Sequence, residues 1–292
     1  MIYDIRQTTT YTYASKVAFA RHLVRLTPID RTRQRVNLAS LDIDPSPPER
    51  REGHDFFGNR LTWIGFDEPH DRLTIKMAAR VTIEKPDEPA PDETPPWEAV
   101  RDEVFTTSDI GPTSPVHFLF PSRQVSLDPE IRDYVRESFP PARPVLAGAL
   151  EVMRRIKADF IYEIGATTVS TTPPMSFALR RGVCQDFAHI MISGLRGIGL
   201  PAAYVSGYLR TAQGPNDIRL QGADAMHAWV LVWCGAEAGW IGLDPTNAVI
   251  AGLDHVVLAI GRDYTDVSPL DGVVFGSGRQ KLDTAVSVSP VG

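Results

Sequence analysis

The hydrophobic pattern changes its period twice along this chain. Up to residue 85, short stretches such as "RLTWIGF" and "RLTIKMAARVTIE" alternate apolar and polar residues with period two. Turn-forming sequences separate these stretches at roughly the 8–12-residue spacing that is typical of an all-β sandwich. The pattern therefore predicts an N-terminal β-sandwich domain over residues 1–85.

A proline-rich segment follows the predicted strands. "KPDEPAPDETPPW" contains five prolines and four acidic residues between Pro86 and Pro96. Proline fixes φ and has no amide hydrogen to donate, so this segment is unsuited to a helix interior or a central strand. We interpret residues 86–100 as a linker between two domains. The alternative is an extended surface loop within one domain.

After this segment the apolar residues recur with the period of a helix, about 3.6 residues. "DPEIRDYVRESF" opens with Asp128 as a predicted N-cap, and "PVLAGALEVMRRIKADF" keeps apolar residues on one face. A third predicted helix starts at Cys184 and ends before Gly199 and Pro201. Its nearly all-round apolar character predicts a helix that is central to its domain.

From about residue 202 the period returns to two, in "AAYVSGYLRT", "HAWVLVW", "WIGLD" and "HVVLAIG". Helices followed by a mostly antiparallel sheet are the α+β layout, which we assign to a second domain over residues 101–270. Residues 271–292 are small and polar, and we expect them to form a poorly ordered C-terminal tail.

Composition narrows the class of protein. Apolar residues make up 43% and charged residues 23% of the 292 residues, as in ordinary globular proteins. The net charge of −6 argues against nucleic acid or an anionic membrane as partner, and no apolar run is long enough for a membrane span. The two cysteines are too few for a disulfide framework, and "MIYDIRQTTTYTY" alternates like a strand rather than a signal peptide. We expect a cytoplasmic protein of unknown oligomeric state.

The candidate chemistry is centred on Cys184, at the mouth of the third helix. A helix N-terminus favours the thiolate, which is the nucleophilic form of cysteine. The alternative is a small apolar residue at a helix start, since buried free cysteines are common. A nucleophile needs a base, and His227 is distinctive because it lies within the otherwise apolar strand "MHAWVLVW".

Strand geometry supplies a partner for this histidine. The turn "GAEAG" joins the strand of His227 to "WIGLD", which ends at Asp244, and counting from the turn sets the two residues abreast or one diagonal step apart. A carboxylate there can accept the imidazole Nδ1–H and leave the other nitrogen facing the sulfur. Cys234 falls on the opposite face of the strand, and reducing conditions disfavour a Cys184–Cys234 disulfide.

Several neighbours have weaker claims to function. We expect Asp186 to be a helix cap, His189 to be structural, and Asn247 to brace the loop after Asp244. Trp229 either packs over the histidine or is an ordinary core aromatic. The backbone amide of Cys184 is the expected oxyanion donor, with the second donor unassigned.

Three stretches carry a resemblance to a known family. "GVCQDFAH", "MHAWV" and "GLDPTN" resemble, in this order, the core motifs of the transglutaminase-like superfamily, whose fold is related to papain. "RHLVRLTP" and "DFFGNRLTW" resemble the N-terminal β domain of its bacterial branch. The resemblance implies a catalytic triad of Cys184 as nucleophile, His227 as base and Asp244 as the acid that orients the base.

This resemblance implies cysteine-dependent acyl transfer through a thioester acyl-enzyme, with a peptide or protein amide as substrate. We expect hydrolysis, as in a peptidase or amidase, because water needs no dedicated binding site. The alternatives are an amine-accepting transglutaminase and a non-catalytic peptide-binding module. No cofactor and no metal site are expected. Relatives often lie beside genes for ATP-dependent ligases, so the products of such genes are candidate partners.

Overall fold

Six strands account for the alternating pattern of the first 83 residues in the structure, a computed structural model that describes residues 1–85, 89–210, 220–222, 225–276 and 278–291. They are β1 (Ile2–Val17), β2 (Phe19–Val24), β3 (Gln34–Asp44), β4 (Glu49–His54), β5 (Arg60–Phe66) and β6 (His70–Ile83). β1, β3 and β6 lie in one sheet, and β2, β4 and β5 lie in another. Apolar side chains of both sheets, such as Ile5, Ile64 and Leu73, are buried in a common core. The predicted all-β N-terminal region is confirmed.

The C-terminal segment is the largest departure from the sequence analysis. It forms β14 (Leu270–Phe275) and β15 (Gln280–Pro290), which extend the two N-terminal sheets to the orders β14-β2-β5-β4 and β15-β1-β6-β3. The prediction of a poorly ordered tail over residues 271–292 is therefore wrong for the described residues. The small and polar side chains of this segment give only a weak alternation of apolar and polar residues, so the strand was not predicted. It forms because β15 pairs with the backbone groups along one edge of β1 and buries Val288 in the core.

Helical structure begins before the end of the predicted linker, residues 86–100. Residues 86–88, which begin it, lie outside the described residues. Beyond them a short 3-10 helix (Pro91–Glu93) precedes α1 (Trp97–Thr106), so a helix begins within the stretch 86–100. Pro95 and Pro96 stand immediately before α1, where a missing amide hydrogen costs little because the first N–H groups of a helix lack acceptors.

The predicted helices are present with the expected ends. The remaining helices of the described chain are a 3-10 helix (Pro115–Phe118), α2 (Pro129–Arg136), α3 (Val145–Asp159), α4 (Pro173–Leu179), α5 (Cys184–Gly197) and α6 (Tyr264–Val267). The Asp128 carboxylate caps α2 by accepting from the amides of Glu130 and Ile131. α5 is buried on nearly all sides, and the chain leaves it at Gly199, whose φ of +85° suits a residue without a Cβ.

An antiparallel sheet follows the helices, which confirms the α+β class. Its strands are β9 (Ala202–Leu209), β10 (Met226–Trp233), β11 (Trp240–Asp244), β12 (Val249–Ile250) and β13 (His255–Gly261), in the order β12-β11-β10-β9-β13. α5 shares a core with the face of β10 that carries Val230 and Val232. A separate parallel pair, β7 (Ile161–Tyr162) and β8 (Arg181–Gly182), lies before α5.

The N-terminal domain is joined to the edge strand β13 through two side-chain amides. Gln34 donates to the carbonyl of Val257 at 2.7 Å and accepts from its amide at 2.8 Å. Asn59 makes the same pair of bonds to Ile260, both at 2.7 Å. Because these bonds occupy strand backbone groups, they hold the two parts of the molecule in register and cover that part of the edge.

Candidate active site

Cys184 is the first residue of α5 and is partly exposed. The preceding Gly182 pairs with Tyr162 in the β7–β8 ribbon. A Cβ at Gly182 would lie 2.6 Å from Oδ2 of Asp186, so only glycine allows this close approach. Asp186 Oδ2 accepts from the amide of Val183 at 2.8 Å and from the Thr167 hydroxyl at 2.6 Å. Asp186 thus fixes the start of α5, as the predicted cap should.

His227 and Asp244 form a buried hydrogen bond, from Nε2 to Oδ2, at 2.9 Å. The ladder pairs Val230 with Leu243, so Asp244 is one diagonal step from His227 across the hairpin. The ring orientation differs from the expectation, because Nε2 rather than Nδ1 faces the carboxylate. Register determines which residues meet, whereas the side-chain torsions that turn the ring depend on packing.

Asp244 accepts from four further donors. Its Oδ1 accepts from the amides of Thr246 at 2.9 Å and Asn247 at 3.2 Å. Its Oδ2 accepts from Asn247 Nδ2 at 2.7 Å and from His255 Nε2 at 3.3 Å. Burial raises the pKa of Asp244, but His227 and His255 outweigh burial and hold it well below its usual range. The carboxylate is therefore ionised at neutral pH.

Burial lowers the pKa of His227, but Asp244 and Cys184 outweigh burial and raise it to about 10. The ring is therefore protonated at neutral pH. Its Nε2 is bonded to Asp244, so the buried Nδ1 is the ring atom left for the Cys184 side chain, with which the ring interacts. Gly222 lies against this atom, since a Cβ there would be 2.6 Å from Nδ1, and Gly222 also has a φ of +89°. A thiol next to a protonated imidazole is the arrangement that stabilises a thiolate.

Asn247 connects Asp244 to the segment in front of His227. Its Oδ1 accepts from the Gln221 amide at 2.9 Å, and its Nδ2 donates to the Gln221 carbonyl at 3.3 Å. Gln221 is next to Gly222, so Asn247 positions the backbone that covers the His227 ring. Asn247 also bonds Asp244 and so braces the loop after it, as expected, in addition to holding this second segment.

Other residues singled out by the sequence have structural contacts. Trp229 stacks on His227 with ring centroids 6.2 Å apart and meets His255 edge-on at 5.2 Å. His189 Nε2 accepts from the amide of Tyr264 at 3.2 Å. Cys184 and Cys234 are both free, and burial raises the pKa of the Cys234 thiol to about 12.

Sequence reasoning missed three neighbours of this site. His255 begins β13, and its approach to Asp244 depends on strand order, which no local pattern reveals. No sequence pattern indicated that Gly222 lies next to His227. Tyr162 is half-buried, and its pKa is raised to about 12 by burial and, to a lesser degree, by Cys184 and Asp244.

The segment from β7 to α4 carries apolar side chains that face solvent. Ile161 is 58%, Ile164 84% and Val169 61% exposed. Gln185, next to Cys184, donates to the Val169 carbonyl at 3.2 Å, which ties this segment to the start of α5. Exposed apolar groups in such a segment offer contacts for an apolar part of a substrate. Among the described residues no cluster of three or more potential metal ligands occurs, and no helix has the length and apolar character needed to cross a membrane.

Two parts of the chain match known families. Residues 3–82 match the bacterial transglutaminase-like N-terminal region, and residues 132–245 match the transglutaminase-like superfamily. The second range contains Cys184, His227 and Asp244.

Individual proteins extend these matches over the whole chain. An uncharacterised protein of Mycobacterium tuberculosis is 36% identical over 295 residues, which are 99% of this chain and 92% of the relative. A protein-glutamine gamma-glutamyltransferase of Pseudomonas aeruginosa is 30% identical over 147 residues, 48% of this chain and 22% of that protein. A structure from Cytophaga hutchinsonii, provisionally described as a cysteine protease, has a TM-score of 0.77 and 24% identity over 99% of this chain and 90% of its own. That structure has the same fold.

Proposed function

The chain belongs to the transglutaminase-like superfamily, and on this premise we propose that it catalyses cysteine-dependent acyl transfer on amide bonds, with water as the acceptor. The observation that carries the proposal is the buried His227–Asp244 pair next to Cys184 at the start of α5. We assign Cys184 as the nucleophile, His227 as the base and Asp244 as the residue that orients the base.

The chemistry follows from these assignments. The Cys184 thiolate attacks the carbonyl carbon of an amide, and the backbone amide of Cys184 donates to the developing oxyanion, since the first N–H groups of a helix have no acceptor within it. Protonated His227 gives its proton to the leaving amine, and a thioester acyl-enzyme remains. Neutral His227 then removes a proton from water, which attacks the thioester and releases the acid. Asp244 stays ionised and stabilises the imidazolium throughout.

We expect the substrate to be a peptide or protein amide with apolar side chains near the reacting bond. The exposed side chains of Ile161, Ile164 and Val169 support this choice, because Gln185, next to Cys184, is bonded to the segment that carries them. Transfer to an amine is the second candidate, and the glutamyltransferase of P. aeruginosa favours it within the matched region.

A non-catalytic peptide-binding module is the third candidate, and it would add a peptide strand to a free sheet edge. In the C-terminal sheet, the β13 edge is bonded to Gln34 and Asn59, and the other edge strand, β12, has only two residues. The N-terminal sheets have longer edge strands, such as β3 and β15, so a module of this kind would bind there.

A mixed-acceptor assay tests the proposal. Casein and the full chain are incubated with a fluorescent primary amine, and new amine termini, released ammonia and amine conjugates are measured. We expect new termini or ammonia, with few conjugates, and the loss of all products in Cys184→Ala. The matched variant Cys234→Ala should keep its activity, because Cys234 is buried in the core on the other face of β10. Activity retained in Cys184→Ala would exclude Cys184 as the nucleophile, and predominant conjugates would assign the transferase reaction instead.

The cytoplasm is the compartment that we propose, because both cysteines are free. Fractionation of the native organism with an antibody against the chain tests this, and recovery outside the cytoplasm would contradict it.

A further inference from the structure

A cavity of about 400 Å³ lies where the N-terminal domain meets the C-terminal sheet. Trp229, Leu231 and His255 line it from the sheet, and the turn 31–34 lines it from the N-terminal domain. Neither Cys184 nor His227 is among the lining residues. Its size is within the range of roughly 300–1,000 Å³ that small-molecule sites occupy.

Two side-chain donors in the wall of this cavity form no hydrogen bond with a described residue. One is the indole N–H of Trp229, a lining residue that is 1% exposed. This nitrogen lies 3.6 Å from the place where a Cβ of Gly242, another lining residue, would stand. The guanidinium of Arg31 likewise forms no ion pair or side-chain hydrogen bond with a described residue, although burial lowers its pKa. An indole N–H and a guanidinium that line one cavity, neither bonded to a described residue, suit an anionic acceptor, because hydrogen bonds to a charged partner are the stronger ones.

The other lining residues favour a ligand with an apolar body. Leu231, Trp240 and Ile250 contribute apolar surface. Glu84 also lines the cavity, but its side chain is exposed to solvent, so its charge is screened there. The backbone of Arg31 is held in place, because Arg31 and Gln34 exchange backbone hydrogen bonds and the Gln34 side chain is bonded to Val257 and to the carbonyl of Ile29.

His255 connects this cavity to the candidate active site. Its Nδ1 accepts from the amide of Gly252 at 3.4 Å, so its Nε2 carries the hydrogen that is donated to Asp244. Trp229 packs against both His227 and His255. A ligand bound to Trp229 therefore touches the residues that hold Asp244 and His227 in place.

We propose that this cavity binds a small carboxylate with an apolar body, through Arg31 and the indole N–H of Trp229, and that its occupancy alters the reactivity of Cys184 through His255 and Asp244. The binding step does not depend on the reaction proposed above, so failure of one leaves the other standing.

Calorimetric titration of the full chain tests the binding step with three probes. Hexanoate has the charge and the apolar body, hexanamide lacks the charge, and inorganic phosphate lacks the body. We expect saturable binding of hexanoate, with about ten- to a hundredfold weaker binding of hexanamide and of phosphate. Equal binding of hexanamide, equal binding of phosphate, or no binding of hexanoate would overturn the proposal.

Single substitutions identify the residues that bind hexanoate. Arg31→Ala should weaken hexanoate binding about ten- to a hundredfold, whereas Arg35→Ala, an exposed arginine outside the cavity, should leave it unchanged. Trp229→Phe removes the indole donor and should also weaken binding. Thermal melts verify folding, and Arg31→Gln serves if the alanine variant does not fold. Unchanged affinity in a folded Arg31 variant would place the ligand elsewhere.

The effect of cavity occupancy on the reactivity of Cys184 is measured separately. Hexanoate at a concentration near its dissociation constant for the native chain should change the iodoacetamide rate of Cys184 there, and should have much less effect in Arg31→Ala, whose sites are then mostly empty. An unchanged rate in the native chain with hexanoate bound would overturn the coupling.

Discussion

Replacing Asp244 by asparagine tests the central pair of the candidate site. Oδ1 accepts two amide hydrogens, and Oδ2 accepts from His227, His255 and the Asn247 side chain. An asparagine NH₂ group would meet donors in either orientation, so the change removes both a charge and well-placed acceptors. Breaking a buried pair in this way costs about 3–5 kcal/mol of unfolding free energy.

The same change alters the charge of His227. With a pKa of about 10, the ring is protonated at pH 7 by a ratio on the order of 10³. In Asp244→Asn, burial still lowers the pKa of His227, while the largest opposing charge is gone. We expect kcat/KM to fall about 10–10³-fold with KM little changed, less than the loss of roughly 10⁴ in a serine triad, because the helix start still supports the thiolate.

The assay is the rate of Cys184 alkylation by iodoacetamide against pH, measured for the native chain and for Asp244→Asn. The variant profile should move to higher pH. Asp254→Asn is the matched control, since Asp254 bonds Arg210 and Tyr3 rather than the candidate site. Coincident profiles for the native chain and Asp244→Asn would show that Asp244 is structural and would refute the reasoning.

Three further predictions concern stability and space around the site. Between the unfolded pKa of His227, near 6.5, and the folded value of about 10, the folded chain holds a proton that the unfolded chain has released, so stability should fall as pH rises. Urea titrations of the native chain and of Asp244→Asn under reducing conditions check this, and equal slopes against pH would contradict it. Gly222→Ala should reduce activity, because a Cβ there would lie 2.6 Å from Nδ1 of His227. The control Gly58→Ala has a similar positive φ but no neighbour within 4 Å, and should only cost about 1 kcal/mol of stability. Val288→Asp should destabilise the chain by about 3 kcal/mol or more in urea titrations, and a small loss would contradict the packing of β15.

The sequence determined the local features of this protein. The 3.6-residue period of apolar positions and the capping residues were sufficient to predict these helices. A cap such as Asp128 acts locally, on amides two and three residues away. The approach of His227 to Asp244 was also readable, since a short hairpin leaves few registers and side chains alternate between faces. The catalytic roles of Cys184, His227 and Asp244 stay predictions.

Contacts between segments far apart in sequence became visible in the folded chain alone. β15 was missed because its small and polar residues become a strand only where β1 offers unpaired backbone groups. The rotation of the His227 ring, the second histidine on Asp244 and the closeness of Gly222 depend on packing between strands and loops. The cavity beside Arg31 exists because Gln34 fixes its turn against Val257, 223 residues away, and such long-range bonds leave no periodic trace in the sequence.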